Sequence, residues 1–94
     1  MNVNSRTWCE CKETRILQVG KICEVCGRRR KRKELIGHHL LGERYMEDHG
    51  LIIPELCEIR DRRCEEECHK RFRDGNPPKS KARIAEWRRN NPLF

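Results

Sequence analysis

The sequence predicts a small α+β domain held together by metal ligation. Three observations predict it: a thin apolar content, seven cysteines spaced as ligands, and short extended segments that give way to helical ones along the chain. Only 35% of the 94 residues are of hydrophobic types, while 39% carry charge. A chain this short buries a small fraction of its surface, and such domains usually need a disulfide or a metal. An odd cysteine count fits one four-cysteine site with leftovers better than a fully paired framework, and in a reducing compartment thiols serve as ligands. That compartment is expected to be the cytoplasm, because residues 1–22 hold no apolar block of signal-peptide length. No segment is long enough to cross a bilayer, so no membrane is expected either.

Lys and Arg outnumber Asp and Glu by 22 to 15, for a formal charge of +7 and a pI near 9.3. Nucleic acid, and DNA first, is the partner this balance points to. The basic residues are clustered: Arg28, Arg29, Arg30, Lys31, Arg32 and Lys33 form an unbroken run, and Lys79, Lys81, Arg83, Arg88 and Arg89 form a second group. Such a run is either a solvated loop or a surface that holds a phosphate backbone, and it leads within a few residues to the adjacent pair His38 and His39.

Residues 1–21 read as an extended arm or short hairpin, from the apolar positions around Ile16 and Val19. Residues 22–74 form the core. They open with Cys23-Glu-Val-Cys26-Gly27, a knuckle whose turn aims both sulfurs at one metal and whose glycine permits the positive φ it needs. After the basic run, Glu34 to His39 reads as a strand, Leu40 to Gly50 as a loop, and Leu51 to Pro54 as a second short extended piece. DRRCEEECHKRFRD is the strongest helix, with Asp61 as N-cap, acids early, bases late, and Gly75 as the stop. Residues 75–94 are a linker, GNPPKS, and a basic C-terminal helix capped by Ser80 with Ile84 and Trp87 at helical spacing.

Cys64 and Cys68 are four residues apart on that helix and so share a face. With Cys23 and Cys26 they complete a four-thiolate site of the structural Zn2+ type, which supplies folding energy a thin core lacks. The bland alternative is that both are buried apolar residues. A rival ligand set also exists: Cys9 and Cys11 with the knuckle would make a zinc ribbon, leaving Cys57, Cys64, Cys68 and a histidine for a second site.

In order, the chain reads CEVC, then GHH, then CEEECH. This order resembles the HNH endonuclease family in its zinc-stapled, treble-clef or ββα-metal variety, over about residues 22 to 73. The resemblance implies that His38 and His69 bind a catalytic divalent cation (Mg2+, Mn2+ or Ni2+), that His39 is the general base, and that the chain hydrolyses DNA phosphodiester bonds. It also implies a phage or mobile-element origin and a larger protein partner that confers specificity. The asparagine this family carries ahead of the helix is absent from DHGLIIPELCEIRDRR, and the last cysteine pair is CxxxC rather than CxxC. A second reading, of a different class, is a noncatalytic zinc module that binds nucleic acid or a protein through the same basic surfaces. Under it the histidines are structural or solvated, as His49 in its polar loop is expected to be.

Overall fold

The computed structural model describes residues 5–93. The chain starts with helix α1 (Ser5–Val19), then a tight knuckle, strand β1 (Leu35–His39), the short helix α2 (Glu43–Asp48), strand β2 (Cys57–Asp61), helix α3 (Arg62–Arg71) and helix α4 (Pro78–Asn90). Residues 1–4, part of the expected arm, lie outside the described residues.

Helix α1 replaces the expected arm or hairpin. Trp8, Cys11, Ile16 and Val19 recur at helical rather than alternating spacing, and this stripe packs on β2 while Leu17 stays exposed. The helix ends where Gly20 takes φ +77 and its N–H donates to Ile16 O at 2.9 Å, a left-handed C-terminal cap. The knuckle then turns as expected: Gly27 has φ +76 and its N–H donates to Cys23 O at 2.8 Å.

β1 and β2 form one antiparallel two-stranded sheet, with Leu35 opposite Asp61, Gly37 opposite Ile59 and His39 opposite Cys57. The second strand is Cys57–Asp61, not Leu51 to Pro54. Alternation in CEIRD places Glu58 and Arg60 on one face and Cys57 and Ile59 on the other, and all are buried. A strand buried on both faces with ions on one of them does not read as apolar, which is why the sequence hides it. The loop after β1 also holds helix α2, whose Met46 is fully buried in a small cluster with Leu51 and Leu56.

α3 follows β2 without a linker. Asp61 is its N-cap as expected, its Oδ1 accepting from Cys64 N at 2.7 Å. The segment expected as a linker is instead packed: Gly75 and Asn76 are buried. α4 starts at Pro78, the first-turn position that suits proline, so Ser80 lies inside the helix, buried, rather than capping it. Ile84 and Trp87 face inward as their spacing predicts.

The result is a small α+β domain whose sheet separates two different surroundings. α1 covers one face with Cys11, Ile16 and Trp8 against Leu35, Cys57 and Ile59. α3 and α4 cover the other, where the buried groups are His38, Glu58, Arg60, Asn76 and Ser80. No helix among the described residues is long and apolar enough to cross a membrane.

Candidate functional site

The knuckle and the start of α3 meet at the Leu35–Asp61 end of the hairpin. There one ligand atom each from Cys23, Cys26, Asp61 and Cys64 lies within 4.8 Å of all the others. Three sulfurs and a carboxylate oxygen that converge this closely are the donor types a divalent metal takes, so this three-thiol, one-carboxylate cluster can hold a metal ion. Burial opposes ionisation of Cys23, yet N–H donors from Cys26, Asp61 and Val25 bring its thiol below the ordinary value. Burial and the neighbouring Cys23, Cys26 and Asp61 push the Cys64 thiol above it, so one proton shared within the group stays on Cys64 rather than Cys23.

Three of the four expected sulfurs are therefore together, and the fourth place is taken by Asp61. The physical reason is its capping role: with Oδ1 on Cys64 N, its Oδ2 is turned to Cys26 Sγ at 3.5 Å and Arg30 Nε at 3.2 Å. Cys68 is buried one turn further along α3 and lines the same cavity, outside the converging group. The ribbon set is not assembled. On a helix, Cys9 and Cys11 point about 200° apart; Cys9 is exposed and Cys11 packs with Cys57 in the apolar core.

A second group of donors gathers on the polar face. His38, Glu65 and His69 bring their ligand atoms within 4.8 Å of one another. Glu65 Oε1 lies 3.3 Å from His38 Nδ1, 2.9 Å from His69 Nε2 and 2.9 Å from Arg60 Nη1. Burial raises the Glu65 pKa, but the hydrogen bond and charge of His38 and the charges of Arg60 and His69 outweigh it and hold the carboxyl at about 2. His38 Nε2 meets Asn76 Oδ1 at 2.8 Å, and Asn76 Nδ2 donates to Leu40 O at 2.9 Å. That second bond fixes the amide, so Oδ1 faces the ring and accepts the Nε2 proton, leaving Nδ1 to face Glu65, as a donor to the carboxylate when it carries a proton and as a lone pair open to a cation when it does not.

Beneath this cluster Arg60, fully buried, holds several elements at once. Its guanidinium donates to Glu58 at 2.9 Å, Glu65 at 2.9 Å and Gly75 O at 2.7 Å, while Ser80 Oγ donates to Glu58 at 2.6 Å. Among the described residues no buried side-chain nitrogen or oxygen lacks a partner. Gly75 has φ +74, and a side-chain carbon there would meet the His69 ring at 2.5 Å, so glycine is required for His69 to sit where it does.

His39 stands on the other face, as neighbours on a strand must. Its ring stacks on Trp8, centroids 3.4 Å apart and 16° from parallel. Burial, aided by His38 and opposed by Glu43 and Glu65, lowers its pKa, so the ring is neutral at pH 7.

The two basic groups differ in availability. Arg28, Arg29, Lys31 and Lys33 are exposed, whereas Arg30 is paired with Asp61 and Arg32 with Glu13. In the second group Arg83 turns inward, donating to the carbonyls of Glu55 and Cys57 at 2.5 and 3.1 Å, and Lys79 Nζ donates to Glu24 O at 2.8 Å. His49, expected in solvent, is exposed but stacked on Tyr45, centroids 4.1 Å apart.

Sequence reasoning found His38 and His69 and missed Glu65, Asn76 and Arg60. The Glu65 to His69 spacing of four on one helix was a usable signal, masked by the Glu-Glu-Glu run that reads as solvated. Comparisons of this chain with protein-family models, curated proteins and solved structures return no match.

Proposed function

We propose that this chain is a metal-dependent endonuclease of the HNH type that hydrolyses DNA phosphodiester bonds, with a structural zinc at the knuckle. The observation that carries the reading is the convergence of His38, Glu65 and His69 on the face of the hairpin that leads into α3. Two imidazole nitrogens and one carboxylate suit a divalent ion such as Mn2+ or Ni2+, with Mg2+ the harder alternative. Such an ion, when bound, stabilises charge on the phosphate and the leaving oxygen.

The chain's own residues supply the rest. Asn76 fixes the His38 tautomer, and Arg60 holds Glu65 in its charged form. His39 is the base this reading assigns: its ring is neutral and stacks on Trp8 on the opposite side of β1 from the His38, Glu65 and His69 donors. The attacking water therefore has to lie at the end of the strand to meet both, and the ring takes its proton there. Cys68 remains the sulfur nearest in sequence logic to a fourth zinc ligand, in exchange for Asp61. In this reading a larger protein supplies specificity, the setting is a phage or mobile element, and the compartment is the cytoplasm.

A second reading is a noncatalytic zinc module that binds nucleic acid or a protein. It is favoured by one observation: each donor of the second cluster already has a protein partner, as a structural ion network would.

Plasmid nicking separates the two. The parent should nick supercoiled DNA with Mn2+ or Ni2+. His38→Ala should recover part of its activity as metal is raised, while His39→Ala should bind metal and stay inactive throughout. Parent activity should also decline with falling pH, at a pH below the value of about 6.5 for a free imidazole, because burial lowers the His39 pKa. Cleavage retained by both variants, or absent from the parent in every metal, would leave the module reading.

A further inference from the structure

We infer that the groove between α2 and α4 is the track for a single-stranded stretch of DNA, gripped by Lys81, Arg88 and Arg89 and stacked at Tyr45. The inference rests on the nucleic-acid part of the reading above and adds where the strand lies. The groove encloses about 790 Å³ and has an apolar floor that includes Leu40, Leu41 and Ile84. Lys81, Ala85, Arg88 and Arg89 line one side of α4, which places three exposed cations along about 12 Å of the rim. The lining carries one carboxylate, Asp74, whose Oδ1 is already accepting from Asn76 N at 2.9 Å. Cations above an apolar floor suit a chain of phosphates bearing flat apolar rings.

Two features choose this groove over the basic run and a strand over a duplex. Asn76 lines the groove and also bonds His38, so the groove borders the His38, Glu65 and His69 cluster. The basic run instead ends at Lys33, five residues before His38, and enters β1 at the Leu35–Asp61 end of the hairpin, about 10 Å of strand from His38. Arg30 of that run is turned to the buried carboxylate of Asp61. Tyr45 also lines the groove, and its ring is stacked with His49 into an exposed two-ring platform. An unpaired base offers a free face to such a platform, whereas duplex bases are already stacked.

The test is fluorescence anisotropy of a labelled oligothymidine and of a matched duplex, without added divalent metal, over a range of salt. The variants are the triple Lys81→Gln, Arg88→Gln, Arg89→Gln; the triple Arg28→Gln, Lys31→Gln, Lys33→Gln; and Tyr45→Ala. All these side chains are exposed, and unchanged circular dichroism should show that the fold is kept. The α4 triple should bind the single strand at least about tenfold more weakly and lower the salt slope by about 2, at roughly 0.7 for each single-strand phosphate. Tyr45→Ala should lose about tenfold with the salt slope unchanged, since stacking releases no counterions. The Arg28 triple should lose less than the α4 triple. Parent-like binding by the α4 triple, a larger loss in the Arg28 triple, no effect of Tyr45→Ala, or a parent that binds neither DNA would overturn the inference. A parent that binds through α4 but never nicks DNA leaves the groove standing and removes the endonuclease.

Discussion

The two faces of the β1–β2 hairpin are built from the same ten residues by opposite means. Toward α1, Leu35, Cys57 and Ile59 meet Cys11, Ile16 and Trp8, and the contact is stabilised by apolar area withdrawn from water. Toward α3 and α4, His38, Glu58 and Arg60 meet Glu65, Asn76 and Ser80, and stability depends on every charge and dipole having its partner. The first face tolerates changes that keep volume. The second gives three acceptor or donor groups a fixed geometry, which an apolar core cannot do. Stability and chemistry are thus assigned to different sides of one strand pair, and Glu24 joins them at the rim: its carboxylate accepts from Arg15 of α1 and from Ile59 N at 2.7 Å, with Arg83 of α4 at 3.5 Å.

The largest effect should come from the cluster on which both faces rest. Replacing Cys26 or Cys64 by serine, or stripping metal with a chelator, should unfold the domain, as read by circular dichroism and zinc content. If the apolar face alone sufficed, the stripped protein would stay folded. Next in size is Arg60→Met, which leaves Glu58 and Glu65 buried without their cation and should cost about 3–5 kcal/mol in urea unfolding. Ile59→Val, its neighbour on the other face, should cost only about 1 kcal/mol. Equal costs at the two positions would erase the distinction drawn between the faces.

Acid sharpens it further. Glu65 titrates at about 2 when folded against its ordinary 4.5, so its contribution is complete above pH 4.5 and is lost as pH falls toward 2. The loss is up to roughly 3 kcal/mol, from about 1.4 kcal/mol for each unit. Glu65→Gln should flatten stability between pH 4.5 and 2, measured by denaturant midpoints; an unaltered acid limb would mean that Glu65 is not held by its partners. Smallest of all, Cys9→Ser should change stability by no more than about 0.5 kcal/mol, since that thiol is exposed on α1. A Cys9→Ser protein as damaged as Cys64→Ser would restore the ribbon assignment.

What could be read from the sequence follows the same division. Local signals were legible: the knuckle with its left-handed Gly27, the Asp61 cap, β1 to within a residue, and the inward Ile84 of α4. Each depends on residues close in the chain. The polar face was not legible, because its partners are far apart: Arg60 is useful only once Glu65, Gly75 and Ser80 arrive from two helices and the turn between them. Read alone, CEIRD and EEE look solvated. α1 was missed for a related reason, since Trp8 and Cys11 gain meaning only against Cys57 and Ile59. Asn76 looked like part of a proline-rich linker, and only its bond to His38 shows what it does.

The measurement closest to the central claim is a Mn2+ titration followed by electron paramagnetic resonance, on zinc-loaded protein, for the parent, Glu65→Gln and His69→Ala. If the polar face is a cation site, the parent binds one Mn2+, and each variant binds at least about tenfold more weakly with the metal content of the knuckle cluster unchanged. A parent that binds no Mn2+, or variants that bind it as the parent does, would contradict the account and leave His38, Glu65 and His69 as an ion network that only holds the fold together.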